Sequence, residues 1–135
     1  RGIGRPHKID RQEIIGVYAA VKRWMSLNHE ERLSYEESKT LNIVNDIKDI
    51  DGLEVKIIDN IIGHQPFGLN IDIDTKKIKS NNLDFVDVLK NSEPSIWTRV
   101  PDGKDTIEIH VFGMTLDQSK IVGKVIKEKL EGLMI

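Results

Sequence analysis

The chain has 135 residues, enough for one ordinary domain and short for two. Its 20 Lys and Arg against 22 Asp and Glu leave a formal charge of −2, without the basic excess expected of a general nucleic-acid binder. A composition of 39% hydrophobic and 31% charged residues is globular rather than disordered, and the absence of cysteine excludes a thiolate nucleophile, a disulfide framework and any Cys-based zinc site.

Arg1–Pro6 ("RGIGRP") has neither the apolar core nor the small-residue cleavage site of a signal peptide. Since Arg1 is not a methionine, the expectation is a trimmed product or the end of something longer. The first helix is marked by Asp10 and Glu13 at capping-box spacing, followed by Ile14, Val17, Tyr18, Val21, Trp24 and Met25 on one broad apolar face. The uncharged stretch Ile14–Val21 is only eight residues, too short to span a bilayer. A second box, Ser34 to Glu37, predicts the start of another helix carrying Leu41, Val44, Ile47 and Ile50 on one side, and Asp51-Gly52 ends it.

Strands follow. Leu53–Asn60 is rich in β-branched residues. Phe67–Asp74 alternates, with Phe67, Leu69, Ile71 and Ile73 facing one way and Gly68, Asn70, Asp72 and Asp74 the other, the pattern of a half-buried antiparallel strand. Leu83–Lys90, capped by Asn81 or Asn82, reads as a short helix, and Ser95–Val100 as a strand. Asp102-Gly103 is a hairpin signal, after which Thr106–Phe112 returns with Ile107, Ile109 and Val111 on one face. Thr115 and Gln118 open the last helix, with Leu116, Ile121, Val122, Val125, Ile126 and Leu130 at its apolar positions. The order α-α-β-β-α-β-β-α predicts an α+β fold, a small antiparallel sheet with helices on one face.

Few residues carry chemistry by pattern alone. Arg5, His7 and Lys8 lie on an extended lead-in to a helix N-terminus, where cations, backbone donors and the helix dipole suit a phosphate or carboxylate. Cations near a chain terminus are also commonly just solvated. Arg99, alternating with Trp97 on a strand, can fork to a carboxylate or lie stacked on that indole. His7, His29, His64 and His110 show no metal-ligand spacing. Asp72 and Asp74 suit either a paired acid/base site or a solvated sheet face. The loop Gly63–Gly68 offers His64 and Gln65 to a cleft, or is a plain connection. There is no nucleophile elbow, Walker A or deaminase signature, so the chain has no self-contained catalytic machinery.

The run Gly2–Gly16, "GIGRPHKIDRQEIIG", resembles the pattern G-[IL]-G-R-P-[MH]-K-[IV]-x-[KR]-[EQ]-E-[IL]-x-G of the selenocysteine synthase-like family of pyridoxal 5'-phosphate (PLP) enzymes, which includes the D-glucosaminate-6-phosphate ammonia-lyases. "EPSIWTRV" and the D-G hairpin after it resemble that family's small domain more loosely. The resemblance implies that the chain is the C-terminal part of a fold-type I PLP enzyme, with residues 1–30 as active-site segment and junction helix and 31–135 as the small α+β domain. It implies Arg5 and Lys8 as ligands of an anionic substrate group and Arg99 as the grip on the substrate carboxylate.

Lys8, where the selenium transferases carry a second arginine, favours the lyase-like branch. The cofactor lysine and the phosphate cup would lie upstream, so PLP would be bound through a lysine outside this chain, and the chain alone would be inactive. The implied whole is a cytoplasmic homo-oligomeric lyase or transferase acting on an amino acid or amino-sugar acid, with β-elimination as its reaction. Its implied partners are an upstream PLP-binding large domain and a small anionic substrate, without a membrane. The charge of −2 speaks against tRNA binding. The alternative is a non-enzymatic α+β binding or interaction domain on which Arg5, Lys8 and Arg99 are surface cations.

Overall fold

A computed structural model describes residues 10–62 and 65–135. The chain divides into two compact units, Arg1–Arg32 and Leu33–Ile135.

In the first unit, α1 (Arg11–Ser26) begins at the capping box expected of it. The Glu13 N–H donates to Asp10 Oδ1 at 2.9 Å, and the Asp10 N–H donates to Glu13 Oε2 at 3.2 Å, so two orphan donors are satisfied reciprocally. Its apolar stripe is real but uncovered: Ile14, Val17, Tyr18 and Val21 are all exposed, and no residue of α1 is buried. The next helix, α2 (His29–Ile47), starts earlier than the Ser34–Glu37 box suggests. Asn28 Oδ1 accepts the Glu31 N–H at 3.2 Å, with Glu30 and Glu31 in the first turn where the helix dipole favours carboxylates. Ser34 is therefore an interior residue whose carbonyl accepts the Ser38 hydroxyl.

The second unit is built on β1 (Leu53–Ile62), β2 (Gln65–Ile73) and β3 (Ile107–His110), an antiparallel sheet in the order β1-β2-β3. With α3 (Asn82–Lys90) and α4 (Leu116–Glu131), this is the α+β fold, in the element order read from the sequence except that Ser95–Val100 is not a named strand. Asn81 caps α3, its side chain accepting the Asp84 N–H, and Thr115 with Gln118 forms the box that opens α4. Register fixes the faces. Leu69 lies opposite Ile109 and Ile71 opposite Ile107, and all four are buried with Ile43 and Ile47 of α2, Phe85 and Leu89 of α3 and Ile126 and Leu130 of α4. One sheet face thus carries the core, and the helices cover it.

The contact of α2 with α4 is polar as well as apolar. Asn42 Nδ2 donates to Ser119 Oγ at 3.0 Å, and Gly123, one turn further along α4, leaves room for Asp46. Lys39 is 1% exposed, its ammonium 2.7 Å from Glu36 Oε2 and donating to the Met114 carbonyl at 3.0 Å. The C-terminal residues close the unit, with an antiparallel bridge between Ile78 and Met134.

Two sequence-based expectations change in detail. Ser95–Val100 pairs with β3 through a single bridge, Arg99 to Glu108, rather than along a full strand. The reason is local: Pro94 has no N–H to give, and the Ile96 N–H is spent on the Leu89 carbonyl at 2.9 Å, tying the segment to α3. Asp74 lies beyond the end of β2, in a turn where its carboxylate accepts the Lys76 N–H, so it does not pair with Asp72 on the strand.

Candidate functional site: a cleft at the edge of β3

The sheet face turned away from the core is polar. Register across it places Lys56 opposite Asn70, Asn70 opposite Glu108, and Glu108 opposite Arg99. Opposed residues of antiparallel strands project from the same face, so one row of polar side chains crosses the sheet and ends at Arg99. In the next row His110 lies opposite Gly68, which offers no side chain in its way.

Along this edge runs an open cleft of about 410 Å³, walled by Trp97, Thr98 and Arg99 on one side and Glu108, His110 and Phe112 on the other. Glu108 organises it. The residue is only 7% exposed, and a buried carboxylate needs partners. An ionised carboxylate has no proton to give, so His110 donates its Nε2–H to Glu108 Oε1, at 2.6 Å. Arg99 Nη2 stands 4.0 Å from the same oxygen, and Lys104 Nζ 4.0 Å from Oε2. The Glu108 N–H also donates to the Arg99 carbonyl at 2.9 Å, which fixes the backbone from which the arginine projects.

Arg99 itself is 61% exposed, with its guanidinium free to fork to a ligand from the cleft edge. It is not the cation on Trp97. That place belongs to Lys90, whose Nζ lies 4.6 Å from the indole centroid. Lys56, further along the row, is held above its ordinary pKa by the hydrogen bond and charge of Glu54, 2.7 Å away, and Lys77 likewise by Asp51. Both pairs are largely exposed, and neither lines the cleft.

Arg5 and Lys8 lie outside the described residues, as do His7, Gly63 and His64. Of the expected site residues, Arg99 is therefore the one placed, and the structure puts it in the cleft. His29 lies against the Trp24 ring at 4.6 Å. Among the described residues no group of His and carboxylates could hold a metal ion, and no helix is long and apolar enough to cross a membrane. Sequence reasoning passed over Glu108 and Lys104, and weighed His110 only as a metal ligand. The available signal was alternation: Glu108 and His110 share the β3 face opposite Ile107 and Ile109.

No protein-family model and no curated protein sequence matches the chain. Among solved structures it is similar to one described as D-glucosaminate-6-phosphate ammonia-lyase, with a TM-score of 0.65 and 16% sequence identity. The two share a fold. The similarity covers 98% of this chain but 35% of the ammonia-lyase chain, so this sequence spans about a third of the protein it resembles.

Proposed function

We propose that this chain is the small domain of a PLP-dependent lyase acting on an amino acid or amino-sugar acid, which supplies substrate-binding groups to a cofactor seated on a separate, larger domain. The observation that carries the reading is the fold match of nearly the whole chain to a third of an ammonia-lyase. The Gly2–Gly16 resemblance to the same family points the same way.

The residues at the cleft fit the substrate end of such a site better than the cofactor end. Among the described residues no lysine lines the cleft, and the one buried lysine, Lys39, is committed to Glu36 and Met114. PLP, when bound by such an enzyme, supplies an electron sink that labilises bonds at the substrate's α-carbon. The part of this chain is to bind and orient. Arg99 holds the α-carboxylate by its planar fork, and Arg5 with Lys8 takes a distal anionic group. In this reading residues 1–30 are the active-site segment and junction, and the exposed face of Ile14, Val17, Tyr18 and Val21 meets the cofactor domain. Enzymes of this kind act as homo-oligomers in the cytoplasm, and the same is proposed here.

The visible absorption spectrum of the full gene product, before and after borohydride reduction, tests the proposal. A band that reduction abolishes supports a cofactor held on a lysine. A colourless protein that takes up no added PLP overturns the enzyme reading and leaves a binding or interaction domain.

A further inference from the structure

We propose that Glu108 is the charge selector of the Arg99 cleft: it positions Arg99 and His110, and its fixed negative charge admits a carboxylate while rejecting a dianion such as a phosphate monoester. The inference deepens the proposed function, resting on it only for the assignment of Arg99 as a substrate ligand.

Position and burial carry the two parts of this role. Glu108 lies between the two donors of the cleft wall, with one carboxylate oxygen 2.6 Å from His110 Nε2 and 4.0 Å from Arg99 Nη2. Because the side chain is buried, water screens it poorly, and its field reaches whatever sits against the guanidinium. Repulsion from Glu108 and attraction to Arg99 and Lys104 both double for a dianion, so selection turns on which of these charges water screens least. Attraction comes from Arg99 and Lys104, both about three-fifths exposed and better screened. Shape agrees with charge: a planar guanidinium at a cleft edge, flanked by Trp97 and Phe112, suits a planar carboxylate on an apolar stem.

Benzoate and phenyl phosphate form the test pair, sharing a ring but differing in head-group charge at about pH 7.5, where the phosphate monoester is mostly dianionic. Ligand-observed NMR titration of the full gene product gives the ratio of the two dissociation constants, without any need for turnover. The wild-type protein is expected to bind benzoate more tightly than phenyl phosphate. Glu108→Gln should move the ratio toward phenyl phosphate by about tenfold or more, and Glu108→Asp should restore the wild-type order. Arg99→Ala should weaken both ligands together.

A wild-type protein that prefers phenyl phosphate, or binds neither ligand at millimolar concentration, overturns the proposal. So does a Glu108→Gln ratio within about twofold of wild type. If the Gln variant does not fold, Glu108→Ala takes its place under the same criterion, and a wild-type preference for phenyl phosphate overturns the proposal without any variant. A protein with no borohydride-sensitive band that nonetheless shows the expected ratio loses the PLP reading and keeps the selector, and the converse result does the reverse.

Discussion

Glu108 and Arg99 meet twice: the Glu108 N–H donates to the Arg99 carbonyl at 2.9 Å, and the Glu108 carboxylate faces the Arg99 guanidinium at 4.0 Å. The backbone contact sets where the arginine leaves the chain, and the side-chain contact limits where its guanidinium can swing. On the proposed reading, a substrate carboxylate would meet a guanidinium already drawn to one side by Glu108, which lowers the ordering cost of binding.

Removing that fork should act on binding before chemistry. Arg99→Ala is expected to raise KM by about tenfold to a hundredfold, the worth of one strong charge-assisted contact, with a smaller fall in kcat. Arg99→Lys should recover only part of the loss, because an ammonium cannot make the two-pronged contact. Since the side chain is 61% exposed, stability should change by less than about 0.5 kcal/mol. Steady-state kinetics beside a urea melt separates the two effects, and an unchanged kcat/KM removes Arg99 from the site.

The buried ammonium of Lys39 links α2 to the segment that lines the cleft. Its directed hydrogen bond goes to the Met114 carbonyl, while Glu36 supplies the counter-charge as a close ion contact outside hydrogen-bond geometry. Lys39→Ala should cost about 3 kcal/mol, because it leaves Glu36 largely buried without a counter-ion. Lys39→Met keeps the apolar stem and should cost less. The midpoint of urea unfolding at constant m-value reads both, and equal costs would show that the charge contributes nothing beyond packing.

Two glycines with positive φ should respond unequally to alanine. Gly52, at φ 85°, turns the chain from α2 into β1, and a Cβ there would stand 2.7 Å from the Lys77 Cβ. Gly103, at φ 74°, has the same backbone demand and open space around it. Gly103→Ala should therefore cost only the left-handed penalty of about 1–2 kcal/mol. Gly52→Ala adds a clash with a backbone-anchored atom and should cost distinctly more, which paired thermal melts would show.

What could be read from the sequence follows from what is local. Asp10 with Glu13, Asn81 and Thr115 with Gln118 announce three helix starts because capping needs only residues three apart. The alternation of Leu69 with Ile71 and of Ile107 with Ile109 gives the core face, because strand period is intrinsic to the backbone. The start of α2 was hidden because Asn28 caps it, while the Ser34–Glu37 spacing imitates a cap inside a helix. Arg99 could be singled out as a candidate, but its setting could not. The row from Lys56 to Arg99 depends on the register of three pairings, of which β2 with β3 joins strands far apart in sequence, and neither Lys39 nor Glu108 reveals by its own identity that it is buried.

The same blindness to long-range partners hid Asn82, which is 5% exposed and ties three segments together. Its Oδ1 accepts the Ile73 N–H at 3.1 Å, and its Nδ2 donates to both the carbonyl and Oδ1 of Asp105, at 3.0 and 3.1 Å. The end of β2, the first turn of α3 and the approach to β3 are thus fixed by one amide. Asn82→Ala should cost about 1–2 kcal/mol, since it leaves the half-buried Ile73 N–H and the Asp105 carbonyl without this partner. Asn82→Asp keeps the shape but turns the double donor into an acceptor facing two acceptors, so near neutral pH it should cost at least as much. Its introduced carboxyl is favoured protonated in the folded state, because only the acid form can donate toward Asp105. The folded-state pKa is then raised, the unfolded chain loses its proton first, and the penalty grows as pH rises above about 4. Urea melts of wild type and both variants from about pH 4 to about pH 7 should show the Asn82→Asp penalty shrinking toward acid while the Asn82→Ala penalty stays level. Parallel pH profiles for the two variants would show that the Nδ2 donor to Asp105 is not what holds this corner.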